Sequence, residues 1–286
     1  MVVHDLAKYE GLDVALRGVA AVVHCAASMG TGAEEQLAST VTGTRNLVAA
    51  MGAASVKRIV LVSSFAVYDY TALRPGDVLT EDAPLDMDGH ARGPYVGAKR
   101  EQEQIVTGAS SGIQWTILRP GLVFGPGRTW FHHLGMQLSR RAWVSLAGEG
   151  LLPLTHVENC ASAIVAAIDE PRSTGTTLNV VDDVLPTRRT YLDWLRARQA
   201  PKPVVIDVPW SALNGASRSA WMAAHGVLRD LVAPPGLLHP AVLAARCKPL
   251  RYDNARLRRV LSWAPAITVK DGLDAALDEG AYHTAG

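Results

Sequence analysis

Short apolar, β-branched runs alternate with helix-forming stretches along this chain, and that alternation limits the folds open to it more than any other feature. The runs at 20–26, 58–63 and 114–119 are bounded by small or polar residues and show no in-out polarity, as strands buried on both faces do. Helices are expected between them over 34–53 and 95–107, followed by a helix over 159–169 with Asn159 as its N-cap and a strand over 177–181. Strand and helix alternating through short connections require right-handed crossovers, so the expected class is α/β with a doubly wound parallel sheet.

At 286 residues and 48% hydrophobic content, the chain can bury one large core, or a core and a smaller satellite. From residue 128 onward the alternation loosens into helices and loops rich in Pro, Trp and Arg, which reads as a smaller C-terminal lobe over 128–286, with 155–182 returning to the main sheet. The Ala/Leu-rich stretch 210–245 is read as the core of that lobe rather than a lid, and 69–92, with Pro75 and Pro84, as a surface loop. A formal net charge of +1, from 28 basic and 27 acidic residues, gives no field to draw in nucleic acid or an anionic membrane. No apolar run is long enough to span a bilayer, and the N-terminus lacks the shape of a signal peptide. Cys25, Cys160 and Cys247 are odd in number and far apart, which argues against a disulfide framework or a zinc site and for a reducing cytoplasm.

Chemistry concentrates in three places. Tyr95 and Lys99 stand four residues apart, on one face of the expected helix, so the Lys99 ammonium is expected near the Tyr95 phenol. A phenol titrates near pH ~10, and a neighbouring cation lowers that value toward a working range, making Tyr95 a usable general acid/base. Ser64 ends a strand at its C-terminal edge, where open α/β sheets place ligands, and its hydroxyl can bond the same substrate oxygen. Alone, a Tyr-x-x-x-Lys pair is more often a solvated helix face; its position after Ser64 and before the strand exit at Pro120 is what makes it informative.

Taken together, these residues make the chain resemble an extended short-chain dehydrogenase/reductase of the NAD-dependent epimerase/dehydratase superfamily. The resemblance covers nearly the whole chain: Val-Val-His24-Cys-Ala-Ala27, Val41-Thr-Gly-Thr-Arg-Asn46-Leu, Val62-Ser-Ser-Phe-Ala-Val-Tyr68, Arg119-Pro-Gly-Leu-Val-Phe-Gly-Pro-Gly127, His156-Val-Glu-Asn-Cys-Ala161 and a stretch from Asp253 to Trp263. It implies a Rossmann-like dinucleotide-binding domain, here partial, over 1–127. It also implies a Ser64, Tyr95, Lys99 triad, with hydride passing between a secondary alcohol or ketone carbon and a nicotinamide ring. NAD or NADP would be held by Asp5, Leu6, Ala26, Ala27, Lys99, Pro120 and Val123, with Asp5 at the adenine amino group or, equally, a charge at a helix N-terminus.

Three departures shape the expectation. The family opens with a strand, a Gly-x-x-Gly-x-x-Gly turn and a helix, whereas this chain starts after them, so the first βαβ unit is expected to be missing and dinucleotide binding weakened. That would leave the 20–26 strand with an open edge. Phe65 and Ala66 stand where sugar-nucleotide dehydratases carry acidic residues, and Leu122 where many epimerases carry asparagine. The site therefore reads as apolar, closer to the 3β-hydroxysteroid dehydrogenase-like branch, with a small apolar substrate as the expected partner and a homodimer left open. The rival reading is a truncated, catalytically silent fragment that binds a partner or has no function alone. His132 and His133 read as loop histidines rather than metal ligands, His24 as a packed core imidazole and Cys25 as a small core hydrophobe. Arg188, Arg189, Arg246 and Arg251 read mostly as a solvated face, any one of which could grip an anionic substrate.

Overall fold

The computed structural model describes residues 3–28, 37–87, 92–109, 112–224 and 236–283. Four parallel strands form the central sheet: β1 (Ala21–His24), β2 (Arg58–Val62), β3 (Gln114–Pro120) and, from further along the chain, Thr176–Val180, in that spatial order. They register so that His24 lies beside Leu61, Val62 beside Leu118, and Pro120 beside Val180, which gathers the C-terminal ends along one edge. The helices α1 (Gly43–Ala53) and α2 (Pro94–Thr107) make the crossovers. The expected 34–53 helix is α-helical only from Gly43, with a π-helical turn over Leu37–Thr42 before it; 34–36 lie outside the described residues.

Apolar residues on the inward faces close the two layers. Met51 of α1, Val106 of α2 and Ile59, Leu61 and Ile117 of the strands form one buried cluster. On the other face, α3 (Val157–Asp169) packs Cys160, Ala163 and Ala167 against Val60, Leu118 and Leu178. Burying side chains of this size stabilises by about 1.5–3 kcal/mol each. β1 is the edge of this sheet among the described residues, with Val23 38% exposed. Beside it, Leu16 and Val19 of the preceding segment pack on the same cluster as Val22.

The C-terminal lobe differs from its expected helix-and-loop make-up. β4 (Leu122–Phe124) pairs with β7 (Leu154–His156), and β5 (Gly135–Ser139) turns back on β6 (Ala142–Leu146), with β9 (Val204–Val208) on the far side of β6; the central strand Thr176–Val180 is β8. The hairpin escapes a sequence reading because Met136 and Leu138 point to solvent and two arginines, rather than Gly or Asn, make its turn. The helices α4 (Arg188–Ala197), α5 (Trp210–Met222) and α6 (Pro240–Cys247) pack around it, with Leu146, Leu213, Leu243 and Cys247 in one buried cluster. The 210–245 stretch contributes to this core, and its residues 225–235 lie outside the described ones.

Other local expectations change as well. The 69–92 loop contains a two-residue strand, Val78–Leu79, paired in parallel with Arg251–Tyr252, and it buries Tyr70 and Leu79. α3 begins two residues early, at Val157, with His156 as its N-cap; the His156 ring accepts from the Glu158 N–H at 3.3 Å. Asn159 is instead fully used as a buried clamp: its Nδ2 donates to Ile267 O (2.7 Å) and Asp182 Oδ1 (3.1 Å), while its Oδ1 accepts from the Ala266 and Ile267 N–H groups. A cap at a helix start satisfies one backbone donor, whereas this amide fastens a distant chain segment.

One buried ion pair ties α2 to the sheet. Arg119 donates from Nε (2.9 Å) and Nη2 (2.7 Å) to the two carboxylate oxygens of Glu103, and the Ser63 hydroxyl donates to the same carboxylate at 2.5 Å. Both partners are about 95% buried, and with Arg119 removed the Glu103 carboxylate keeps only Arg100, at 3.9 Å and without a hydrogen bond. Arg119→Met should therefore lower stability by about 3–5 kcal/mol. Urea denaturation of the two proteins is the check, and a loss below about 1 kcal/mol would mean that the pair does not hold the helix to the sheet.

Candidate active site

Ser64, Tyr95 and Lys99 come together at the C-terminal edge of the sheet. Ser64 follows β2 directly; it is extended in backbone conformation and accepts from the Ala66 N–H at 3.1 Å, starting a short 3₁₀ turn. That turn aims the serine over the strand end. Tyr95 sits in the first turn of α2, entered through Gly93 at φ 93° and Pro94, a helix start that proline's fixed φ favours. The Ser64 hydroxyl and the Tyr95 phenol line the same cavity.

The electrostatics differ from the expected pattern in one respect. Burial raises the Tyr95 phenol above its ordinary value, while the neighbouring Ser64 hydroxyl and the charge of Arg128 pull it back. Lys99 does not supply that pull. Its Nζ donates to the Val62 carbonyl at 2.8 Å and to Gln102 Oε1 at 2.9 Å, because the strand end and the next turn of the helix offer acceptors to the ammonium. The expected lowering of Tyr95 by Lys99 is thus not seen in this arrangement. Burial lowers Lys99 itself to about 8.

Behind Lys99 lies a polar network that the sequence reading left unassigned. The Gln102 amide donates to Thr44 Oγ1 (2.9 Å) and to Ala26 O (3.2 Å) and approaches the His24 ring nitrogen at 2.9 Å, while His24 and Thr44 meet at 2.8 Å. His24 is buried as expected, and burial together with Lys99 holds it near 4, hence neutral. Cys25, next along the chain, is exposed rather than a core residue: beyond His24 the strand leaves the sheet and faces a surface concavity. The only sequence signal for the network is the spacing of Gln102, one turn beyond Lys99 on the same helical face.

Two concavities flank this centre. One, of about 450 Å³, lies beyond β1 and is lined by His4, Asp5, Leu6, Ala26, Ala27, Ser28 and Ser39. Asp5 there bonds the Ala7 N–H at 3.0 Å, capping a turn rather than a helix. The Asn46 amide donates to Leu6 O at 2.9 Å, and Gly43 lets Leu6 approach: a Cβ on Gly43 would lie 3.0 Å from the Leu6 Cβ. The other, of about 310 Å³, is lined by Ser64 and Tyr95 together with Phe65, Leu122, Val242 and Tyr252, among others. Pro120 ends β3 and is buried, while Val123 packs on Val60 and Leu118. Among the described residues no group of His, Cys, Asp or Glu could hold a metal, and no helix is long and apolar enough to cross a membrane.

Four of the residues expected to hold a dinucleotide, Asp5, Leu6, Ala26 and Ala27, line the first concavity at the strand ends, and Lys99 is beside it through Gln102 and Ala26. An ammonium has three donors and Lys99 uses two on protein acceptors, so one N–H remains for a ribose hydroxyl. These residues fit a nicotinamide dinucleotide at its adenosine and ribose ends.

A depressed lysine also has a signature in stability. Because the native state releases the Lys99 proton near 8 and the unfolded chain near 10.5, stability should rise with pH between those values relative to Lys99→Met. Chemical denaturation of both proteins at pH 7.5 and 10.5 checks it; parallel pH dependences would show that Lys99 is not desolvated.

Comparison with known proteins bears on the fold and the family. Over 168 residues the chain is 35% identical to 3-diazoavenalumate denitrifying reductase of a Streptomyces species, covering 56% of this chain and 53% of that one. Over 281 residues it is 27% identical to 2-alkyl-3-oxoalkanoate reductase of Stenotrophomonas maltophilia strain K279a, covering 94% and 83%. It thus spans about half the length of the first relative and most of the second. Among solved structures, MoeE5 in complex with UDP-glucose and NAD superimposes with a TM-score of 0.70 at 18% identity, covering all of this chain and 86% of that one, a likeness of fold. Residues 1–180 match the NAD dependent epimerase/dehydratase family. The chain belongs to that family, extended short-chain dehydrogenases/reductases with a Rossmann-like fold and NAD(P) as cofactor.

Proposed function

We propose that this protein catalyses hydride transfer at a secondary alcohol or ketone of a comparatively apolar substrate, as a reductase or dehydrogenase, with Tyr95 as general acid/base. The observation that carries the reading is the placement of Ser64 and Tyr95 together on the wall of one largely apolar cavity. In ketone reduction, Tyr95 donates its phenolic proton to the substrate oxygen and Ser64 holds that oxygen by a second hydrogen bond. A nicotinamide dinucleotide held by Asp5, Leu6, Ala26, Ala27 and Lys99 would supply or accept the hydride. Lys99 would orient the ribose with its third N–H, and the charge of Arg128, which pulls the Tyr95 phenol down, favours the phenolate that proton donation leaves.

Phe65, Ala66 and Leu122 line the cavity where a sugar-nucleotide enzyme of this family would place acidic and amide groups. Such a wall gains little from a sugar hydroxyl and much from a hydrocarbon. The named activities of two relatives, reductases of an oxoalkanoate and of a diazo acid, lie in the same direction. A competing reading, a silent fragment that binds a partner, has no such cavity to explain.

Tyr95→Phe should reduce turnover by about 10²–10⁴-fold, the contribution of a positioned acid/base, with the melting temperature nearly unchanged because one oxygen is lost. Retained turnover would remove Tyr95 from the chemistry. In side-by-side assays with NADH and NADPH, aromatic or steroid ketones should react faster than UDP-sugars. Turnover of sugar nucleotides alone would overturn the substrate assignment.

A further inference from the structure

The charges around the substrate cavity do not balance. Its lining includes Arg92, His133 and Arg246, and no carboxylate. Arg92 is spent: it pairs with Asp86 and donates to the Ala66 and Tyr68 carbonyls at 2.8 Å each. Arg246, half-buried in the last turn of α6, has no hydrogen bond or ion pair from its side chain to any described residue. Directly behind it Arg188 is 1% exposed and donates only to carbonyls, those of Arg246 (2.9 Å), His133 (3.1 Å) and Ala147 (3.3 Å). Gly150 makes room for that guanidinium, since a Cβ there would lie 1.8 Å from its Nη1.

The expectation of a solvated arginine face therefore fails for Arg188, and neither guanidinium has a carboxylate of the described residues at ion-pair distance, the nearby Glu149 carboxylate being bonded by the Trp210 N–H. A buried charge without a counter-ion is costly, and a structure that retains one holds a field ready for an anion. His133 adds no third charge: burial first, then Arg188 and Arg246, hold it near 3, so at neutral pH it is a neutral hydrogen-bonding group. The lining also carries apolar Leu122, Val242 and Ala245. Of the two guanidiniums in the lining, Arg92 is paired and only Arg246 is free, which suits a monoanion; a diphosphate would require more unpaired cations there. Arginine's planar fork matches a carboxylate through two parallel hydrogen bonds.

Resting on the hydride-transfer reading above, we propose that the substrate is an apolar hydroxy or oxo carboxylic acid whose carboxylate pairs with Arg246 while its reacting oxygen lies at Ser64 and Tyr95. Arg246 is then the residue that selects acids over neutral ketones of the same shape. Its helix-terminal position stabilises α6 as well, but that contribution is the same for every ligand.

Calorimetric titration with 4-oxo-4-phenylbutanoate and 5-oxo-5-phenylpentanoate and their methyl esters tests this on the wild-type chain. At least one acid should bind tenfold or more tightly than its ester, with benzoate competing and inorganic phosphate at equal concentration not competing. Arg246→Gln should reduce the acid-to-ester affinity ratio at least tenfold, and Arg246→Lys should restore part of it. Equal affinity for acid and ester, no binding of either acid, equal competition by phosphate, or a ratio unchanged in Arg246→Gln would each overturn the proposal. The wild-type acid-to-ester comparison decides even if a variant fails to fold. Tyr95→Phe separates the two readings: it should keep the wild-type acid-to-ester affinity ratio, since acid and ester share the lost contact, while losing turnover. Arg246-dependent acid binding without any turnover would leave this site standing and remove the hydride-transfer reading.

Discussion

The contact between Glu103 and Arg119 is the constraint on which the rest of the site depends. Glu103 lies on the same face of α2 as Tyr95 and Lys99, at steps of four residues, so fixing its carboxylate fixes the azimuth and depth of that whole stripe. The pair reaches further through Arg119, whose guanidinium lies 4.9 Å from the centre of the Tyr68 ring. Tyr68 in turn donates its hydroxyl to Asn179 on β8 at 2.5 Å. One buried charge pair thereby connects a crossover helix to three neighbouring strands. Low dielectric makes such a pair directional and intolerant of slippage, which is what holding a phenol over a serine requires.

Polarity is distributed unequally about that centre. On the β1 side, neutral groups dominate: His24, Thr44 and Gln102 form a closed set of hydrogen bonds that accepts the Lys99 ammonium. On the α6 side, carbonyl dipoles alone face Arg188, and the charge is left to act on the cavity. The first arrangement suits ribose hydroxyls, and the second an anion. The lining combines the Ser64 and Tyr95 hydroxyls, apolar Phe65 and Leu122 and the Arg246 guanidinium, so a ligand that fills the cavity meets hydrogen-bonding groups, hydrocarbon and a cation.

Much of the central sheet is legible in the linear chain because each parallel strand, covered by helices on both faces, must be uniformly apolar. The runs at 20–26, 58–63, 114–119 and 177–181 correspond to strands displaced by at most three residues at either end. The β5–β6 hairpin is not legible, since its edge strand turns apolar side chains to solvent and its turn lacks the usual residues. Asn159 reads as a cap because local hydrogen bonding is the commoner use of asparagine at a helix start; its actual partners are over a hundred residues away, at Ala266 and Ile267.

By itself the sequence determined the α/β class, the strand ends and the spacing that brings Ser64, Tyr95 and Lys99 to one edge, because each depends on periodicity and on residues near in the chain. Tertiary structure alone decided where the charges go. Lys99 turns to Val62 and Gln102 rather than to Tyr95, Arg188 is buried rather than solvated, and Arg246 is brought to the cavity by a helix 151 positions after Tyr95. Burial and long-range pairing set those outcomes, and neither is written in a local pattern: a guanidinium has the same formula whether its neighbours are water, a carboxylate or three carbonyl oxygens.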